Sequence, residues 1–148
     1  MLGTSEPESL DRLFAHICRL KHARVHTLYE ALGLYRGQPR VLGALWEQEG
    51  LTHTELSHLL GVQPATVTKM LQRMEKAGFV ERRHDPEDRR VSRVYLTASG
   101  RSVREDVQRV WCRLEEEAFA GFTGEEGELL RQFFYRIRDN LMQAQGVD

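Results

Sequence analysis

The sequence predicts a mainly α-helical protein with one small β-hairpin, α+β in class. Three observations predict it. Apolar residues recur with a period near 3.6 at both ends of the chain, short helices punctuated by glycine and proline fill the middle, and two short apolar-alternating stretches flank a polar loop. At 148 residues the chain has the length of one ordinary domain and can bury a core without staples, so one compact unit (1–148) with terminal extensions is the expectation.

The first helix is read over 10–32, where Leu10, Leu13, Phe14, Ile17, Leu20, Val25, Leu28 and Leu32 keep to one face. After a break from Gly33 to Gly37, Pro39 sits in the first turn of a second helix that buries Val41, Leu42, Leu45 and Trp46 and stops near Gly50. Thr52 precedes Glu55 by the three residues of a capping box, and a third helix of about two turns ends at Gly61. Pro64 opens a fourth helix over 64–77 that carries Val67, Met70, Leu71 and Met74 inward and stops at Gly78. The stretches 79–83 and 93–96 read as the two strands of a hairpin with a long loop. Thr97 caps the next helix, and Thr123 with Glu126 repeats the capping box before the last one.

Two short helices joined by a turn at Gly61, followed by a hairpin, form a winged helix-turn-helix over residues 38–100, with the helices at 10–32 and 101–145 as dimerisation helices. These terminal helices carry more apolar stripe than the middle can cover. Either a partner subunit covers it or the two helices fold on each other. In this spacing the second helix enters the major groove of duplex DNA. Turning about 100° per residue, the fourth helix leaves Ala65, Lys69, Gln72 and Lys76 outward and Thr66, Thr68 and Arg73 on the flanks. Small residues permit close approach, Gln72 can read a base edge, and Lys69, Arg73 and the threonines can reach bases or phosphates. In the hairpin tip Asp88, Arg89, Arg90 and Arg93 place guanidinium groups on a narrow projection suited to a minor groove, with Asp88 holding Arg90 extended through a salt bridge. The net charge of -1 speaks against a nucleic-acid binder, but its distribution does not. Residues 66–104 hold ten Lys/Arg against five Asp/Glu, and residues 105–148 five against ten.

The residues that carry a family likeness are Leu51-Thr52, Glu55-Leu56-Ser57, Leu60-Gly61-Val62, Thr66-Val67-Thr68-Lys69, Arg73-Met74-Glu75, Gly78-Phe79-Val80-Glu81-Arg82, Asp85-Pro86-Glu87-Asp88-Arg89-Arg90 and Leu96-Thr97-Ala98-Ser99-Gly100. In these the chain resembles the MarR (multiple antibiotic resistance regulator) family, closely over residues 38–100 and in the length and order of the flanking helices. The resemblance implies a homodimer built by the first and last helices, a palindromic operator, and repression relieved by a small molecule or an oxidant. It places the family's wing arginine at Arg90 and its partner aspartate at Asp88. Gln63 departs from the pattern, since the family more often has aspartate or serine there and glutamine caps poorly.

Aromatic-acid effectors of this family bind between the dimerisation helices and the DNA-reading module. Tyr35, Arg40 and Trp46 lie near that junction, where an arginine beside aromatics suits an aromatic carboxylate or serves packing alone. A small aromatic effector is thus the expected partner besides DNA and a second copy. Some relatives sense peroxide through a cysteine early in the first helix, but Cys18 falls about a turn and a half later, and the role is not carried over. Cys18, His22 and His26 recur every four residues, yet the drift of about 40° per step and the lack of a fourth ligand argue against a metal. Cys112 reads as a small buried hydrophobe on the fifth helix rather than a redox partner. With no phosphate loop, nucleophile elbow, metal motif or membrane-length apolar run, neither an enzyme nor a cofactor nor a membrane is expected. Sparse, helix-borne cysteines fit a cytoplasmic location.

Overall fold

The computed structural model describes residues 7–146. Helix α1 spans Leu10–Glu30, α2 Gln38–Glu47, α3 His53–Leu60, α4 Pro64–Lys76, α5 Ala98–Ala118 and α6 Gly124–Gln145. The strands are β1 Leu51–Thr52, β2 Val80–His84 and β3 Ser92–Leu96. The mainly helical fold with a small hairpin is thus as the sequence predicts.

The sheet has a third member that the sequence pattern does not reveal. Strand β3 pairs antiparallel on both edges, with β1 through Leu51↔Val94 and Thr52↔Arg93, and with β2 from Val80↔Leu96 to His84↔Ser92. A two-residue strand carries no alternation to read. It exists because Thr52, as N-cap of α3, must be extended (φ −79°, ψ 165°), and that conformation also suits a ladder.

The core is one apolar cluster under the helix-turn-helix. Leu34, Val41, Leu42, Leu56, Val67, Leu71, Met74 and Val94 are wholly excluded from solvent, with Leu45, Leu51, Val80 and Leu96 nearly so. Val103 and Val107 of α5 belong to the same cluster, so the module extends past residue 100 into what the sequence assigns to a terminal helix. The reason is a close approach: a Cβ on Gly100 would lie 2.1 Å from the Phe79 carbonyl oxygen. A glycine there lets the start of α5 sit against the end of the α4–β2 turn, and the indole N–H of Trp46 donates to the Gly100 carbonyl (2.9 Å) from the other side.

The chain divides into two compact units, one up to Leu114 and one from Glu115 onward. Physically the boundary falls where α5 stops burying side chains: Val103, Val107, Val110 and Leu114 are buried, and among the described residues none after Leu114 is. Helix α6, opened by the Thr123–Glu126 capping box, buries none of its residues within the chain.

Two stability predictions arise from this core. Truncating a wholly buried leucine, Leu71→Ala, is expected to cost about 2–5 kcal/mol in urea unfolding. Glycine to alanine inside a helix ordinarily gains up to about 1 kcal/mol, but Gly100→Ala should lower the melting temperature, because the new methyl meets a main-chain oxygen that cannot rotate away. A neutral or raised melting temperature would contradict the packing of α5 against Phe79.

Candidate nucleic-acid interface

The helix-turn-helix is built from caps outward. The Thr52 hydroxyl accepts from the Glu55 N–H (3.1 Å) and the Glu55 carboxylate accepts from the Thr52 N–H (2.8 Å), so both halves of the expected capping box form. Gly61 closes α3 at φ 64°, a left-handed conformation that costs a side chain energy. The turn is then tied by Ser57, whose hydroxyl donates to the Val62 carbonyl (2.6 Å), and by Arg40 of α2, whose Nη2 donates to the Leu60 carbonyl (2.8 Å). Gln63 precedes α4 with extended geometry and makes no side-chain cap, as glutamine's length predicts.

With Val67, Leu71 and Met74 buried, α4 turns Ala65, Thr66, Lys69, Gln72, Arg73 and Lys76 to solvent. Met70, expected fully inward, is half-buried. Thr68 is placed differently from the rest of the flanking set: it is half-buried, and its hydroxyl donates to the Pro64 carbonyl (3.0 Å) and lies 3.4 Å from His53 Nδ1. The i−4 carbonyl satisfies the hydroxyl, which leaves the methyl as its outward chemistry.

The wing differs from its sequence reading at two residues. Asp88 accepts the main-chain N–H of Arg90 (3.0 Å) rather than its guanidinium, so the aspartate shapes the tip backbone. Arg93 is drawn away from the tip: its Nε donates to Asp85 Oδ2 (2.5 Å) and its Nη1 to the Gly50 carbonyl (2.8 Å). The expectation that Asp88 orients Arg90 by a salt bridge and that Arg93 stands beside it is therefore corrected. The carboxylate of a tight loop lies nearest to backbone donors, and β3 pairing turns Arg93 toward β1. Arg89 and Arg90 are exposed, and among the described residues neither guanidinium has an ion pair. The other arginines of the hairpin are engaged. Arg82 is bidentate to Glu75 of α4, and Arg83 pairs with Glu81 while lying 4.5 Å over the Tyr95 ring.

The Glu75–Arg82 strap and the Asp85 and Glu49 anchors are residues that sequence reasoning missed. Glu49 accepts from the Leu96 N–H (2.8 Å) and pairs with Arg101 (3.0 Å). The Leu96 amide and then Arg101 hold its carboxyl below the usual range. Spacing along the chain gives no sign of these pairs, since their partners lie on other elements.

Tyr35, Arg40 and Trp46 do not form an open polar cluster. Tyr35 is exposed, while one N–H of Arg40 Nη2 and the Trp46 indole N–H donate to the Leu60 and Gly100 carbonyls. On α1 the His22 and His26 rings stand 6.3 Å apart, and Cys18 and Cys112 are both exposed thiols, against the buried role expected for Cys112. Among the described residues no three His, Cys, Asp or Glu come together as metal ligands, and no helix is long and apolar enough to cross a membrane.

Comparison with known proteins agrees with this geometry. Residues 34–92 match the MarR family model. The transcriptional regulator HosA of Escherichia coli O111:H- is 34% identical over 109 residues, 74% of this chain and 81% of HosA. YwoH, an HTH-type transcriptional regulator of Bacillus subtilis, is 33% identical over 78% of this chain and 84% of its own. The chain belongs to the MarR family. It is accordingly a DNA-binding transcription regulator and not an enzyme. Among solved structures, apo wild-type MarR from E. coli superposes with a TM-score of 0.72 at 26% identity, covering 90% of this chain and 98% of MarR. A mutant of MepR from S. aureus bound to an oligodeoxyribonucleotide superposes with a TM-score of 0.73 at 24% identity, covering 90% of this chain and 99% of MepR.

His53 supplies a pH prediction for this interface. Its Nε2 is buried without a partner among the described residues, and burial, followed by Arg82, pushes its pKa below the ordinary value against a smaller upward pull from Glu75. A depressed histidine means that the unfolded chain binds the proton more readily, so the stabilisation is fully present above the unfolded pKa of about 6.5 and is lost as pH falls. The melting temperature of the protein should therefore drop between pH 7 and pH 5, and His53→Gln should flatten that drop. An unchanged profile in the variant would assign the acid sensitivity to other groups.

Proposed function

We propose that this MarR-family regulator acts as a cytoplasmic homodimer that represses transcription by sitting on a palindromic duplex operator, and that a small aromatic molecule releases it. Within each half-site, α4 lies in the major groove with Ala65, Thr66, Thr68, Lys69, Gln72 and Arg73 toward the bases and backbone, and the wing tip brings Arg89 and Arg90 to the flanking minor groove. The observation that carries this reading is the division of labour among the wing cations. Arg82, Arg83 and Arg93 are neutralised by carboxylates on the protein, whereas Arg89 and Arg90, at the tip, have no ion pair among the described residues. A hairpin used only to contact another protein has no need of two uncompensated guanidiniums at its apex.

The dimer is supported by apolar side chains that the chain itself leaves in water. Leu10, Leu13, Phe14, Ile17 and Leu20 of α1 are exposed along one stripe, and Leu129, Phe133, Phe134, Ile137 and Leu141 of α6 along another. Faces of this kind on a soluble regulator are stable only when covered, and a symmetric second copy covers both at once.

Release is read through Arg40. Tyr35, Arg40 and Trp46 are the residues proposed for the effector, and Arg40 is at present the tie between α2 and the end of α3. An aromatic carboxylate that drew Arg40 off the Leu60 carbonyl would free the turn before α4 and change the presentation of the reading helix.

The test is selection of bound sequences from a random duplex library at moderate salt. An inverted repeat with half-sites about one helical turn apart is expected, with affinity falling steeply as salt rises. Arg90→Ala should weaken binding to the recovered duplex at least tenfold, an amount equal to about 1.4 kcal/mol, while sedimentation still reports a dimer. Lys69→Ala and Gln72→Ala should change the enriched sequence. Recovery of no sequence by an intact dimer, or salt-independent binding, would favour the protein-contact use of the wing.

A further inference from the structure

We propose that Arg93 is a positioning residue that clamps the wing to the helix-turn-helix, and that it sets where Arg89 and Arg90 stand without touching nucleic acid itself. This rests on the DNA-binding reading and adds to it a residue whose role is mechanical. Arg93 lies on β3, opposite Thr52 of β1 and Arg83 of β2. One edge of its guanidinium group reaches the loop that carries the tip, through Nε to Asp85 Oδ2 at 2.5 Å. Its Nη1 reaches the Gly50 carbonyl at 2.8 Å, immediately before β1 and the N-cap of α3. A planar fork thus spans two segments that are 35 residues apart in the chain.

From Asp85 the linkage continues into the tip. Its Oδ1 accepts the Glu87 N–H (2.8 Å) and the Asp88 N–H (3.4 Å), and its own N–H donates to the Val91 carbonyl (2.8 Å). The Val91 N–H returns to the Asp88 carbonyl (2.9 Å), and Asp88 Oδ1 accepts the Arg90 N–H (3.0 Å). The backbone on both sides of Arg89 and Arg90 is therefore fixed by two aspartates, and the first of these is held by Arg93. Asp85 is the more enclosed partner, with its side chain 13% exposed against 35% for Arg93, so the pair faces the protein and not the apex.

A phosphate contact and a clamp make opposite predictions, which a set of variants separates. Amide hydrogen exchange of the unliganded protein reads the clamp directly: Arg93→Ala and Asp85→Ala should each speed exchange at Glu87, Asp88 and Val91 at least tenfold while the α4 amides keep their protection. Unaltered exchange in the tip would overturn the clamp whether or not the protein binds DNA. Binding to the duplex recovered by selection reads the consequence. Arg93→Ala, Asp85→Ala and the double variant should lose the same affinity, about tenfold, with the wild-type salt slope, because removing either partner frees the same loop. Arg93→Lys should behave like the alanine variant, since an ammonium cannot bridge both acceptors. If Asp85→Ala instead tightens binding, and Arg93→Ala lowers the salt slope by about one with rescue by lysine, Arg93 is a phosphate contact and the proposal fails. A wild-type protein that recovers no duplex removes the DNA-binding reading and leaves the exchange result to decide the clamp.

Discussion

Strand β3 is the constraint on which the DNA-reading surface depends. It is five residues long, pairs on both edges, and buries Val94 completely between β1 and β2. Through β1 it holds the residue that caps α3, and through β2 it holds the end of the turn leaving α4. The two helices of the helix-turn-helix and the wing therefore share one sheet as their reference frame. Ladder hydrogen bonds have little tolerance for sliding, because a one-residue slip would put Val94 in water and Arg93 or Tyr95 in the core.

Charge is distributed around this frame so that few cations remain available. Carboxylates sit where they neutralise arginines that serve the fold: Glu75 for Arg82, Glu81 for Arg83, Asp85 for Arg93 and Glu49 for Arg101. Pairs that keep contact with solvent contribute little to stability. Their larger effect is on the electrostatic pattern, since the cations on the outer face of α4 and the two arginines at the wing apex have no ion pair among the described residues. The local excess of Lys/Arg over 66–104 is thereby focused on a smaller area than the composition suggests.

The terminal helices obey a different rule. The first part of α5 belongs to the core of the reading module, with Val103 and Val107 packed in the same cluster as Leu71 and Met74. Past Leu114 no side chain is buried among the described residues, and α6 presents aromatic and aliphatic residues to solvent along its length. A helix with this composition is an amphipathic element with an apolar face along its length.

The sequence by itself determined the six helices, the two strands of the hairpin and the face that the helices of the middle module bury. Local signals sufficed: Thr52 with Glu55 and Thr123 with Glu126 for helix starts, Gly61 for a stop, Pro64 for a first turn, and the spacing of Val67, Leu71 and Met74 for the buried side of α4. Each of these acts within four residues along the chain, so it can be read from the chain. The likeness to the MarR family was legible for the same reason, since its most specific stretch, Asp85 to Arg90, is continuous. What only the tertiary structure decided was the use of each charge. Arg93 and Arg90 are three residues apart and chemically identical, yet one is folded back onto Gly50 and Asp85 and the other stands at the apex. The strand β1, the place of Gly100 against Phe79 and the exposure of Cys112 were likewise settled by what lies opposite them in space. An arginine finds its acceptor across 43 residues of chain through the antiparallel register of β3, and no local pattern encodes that register.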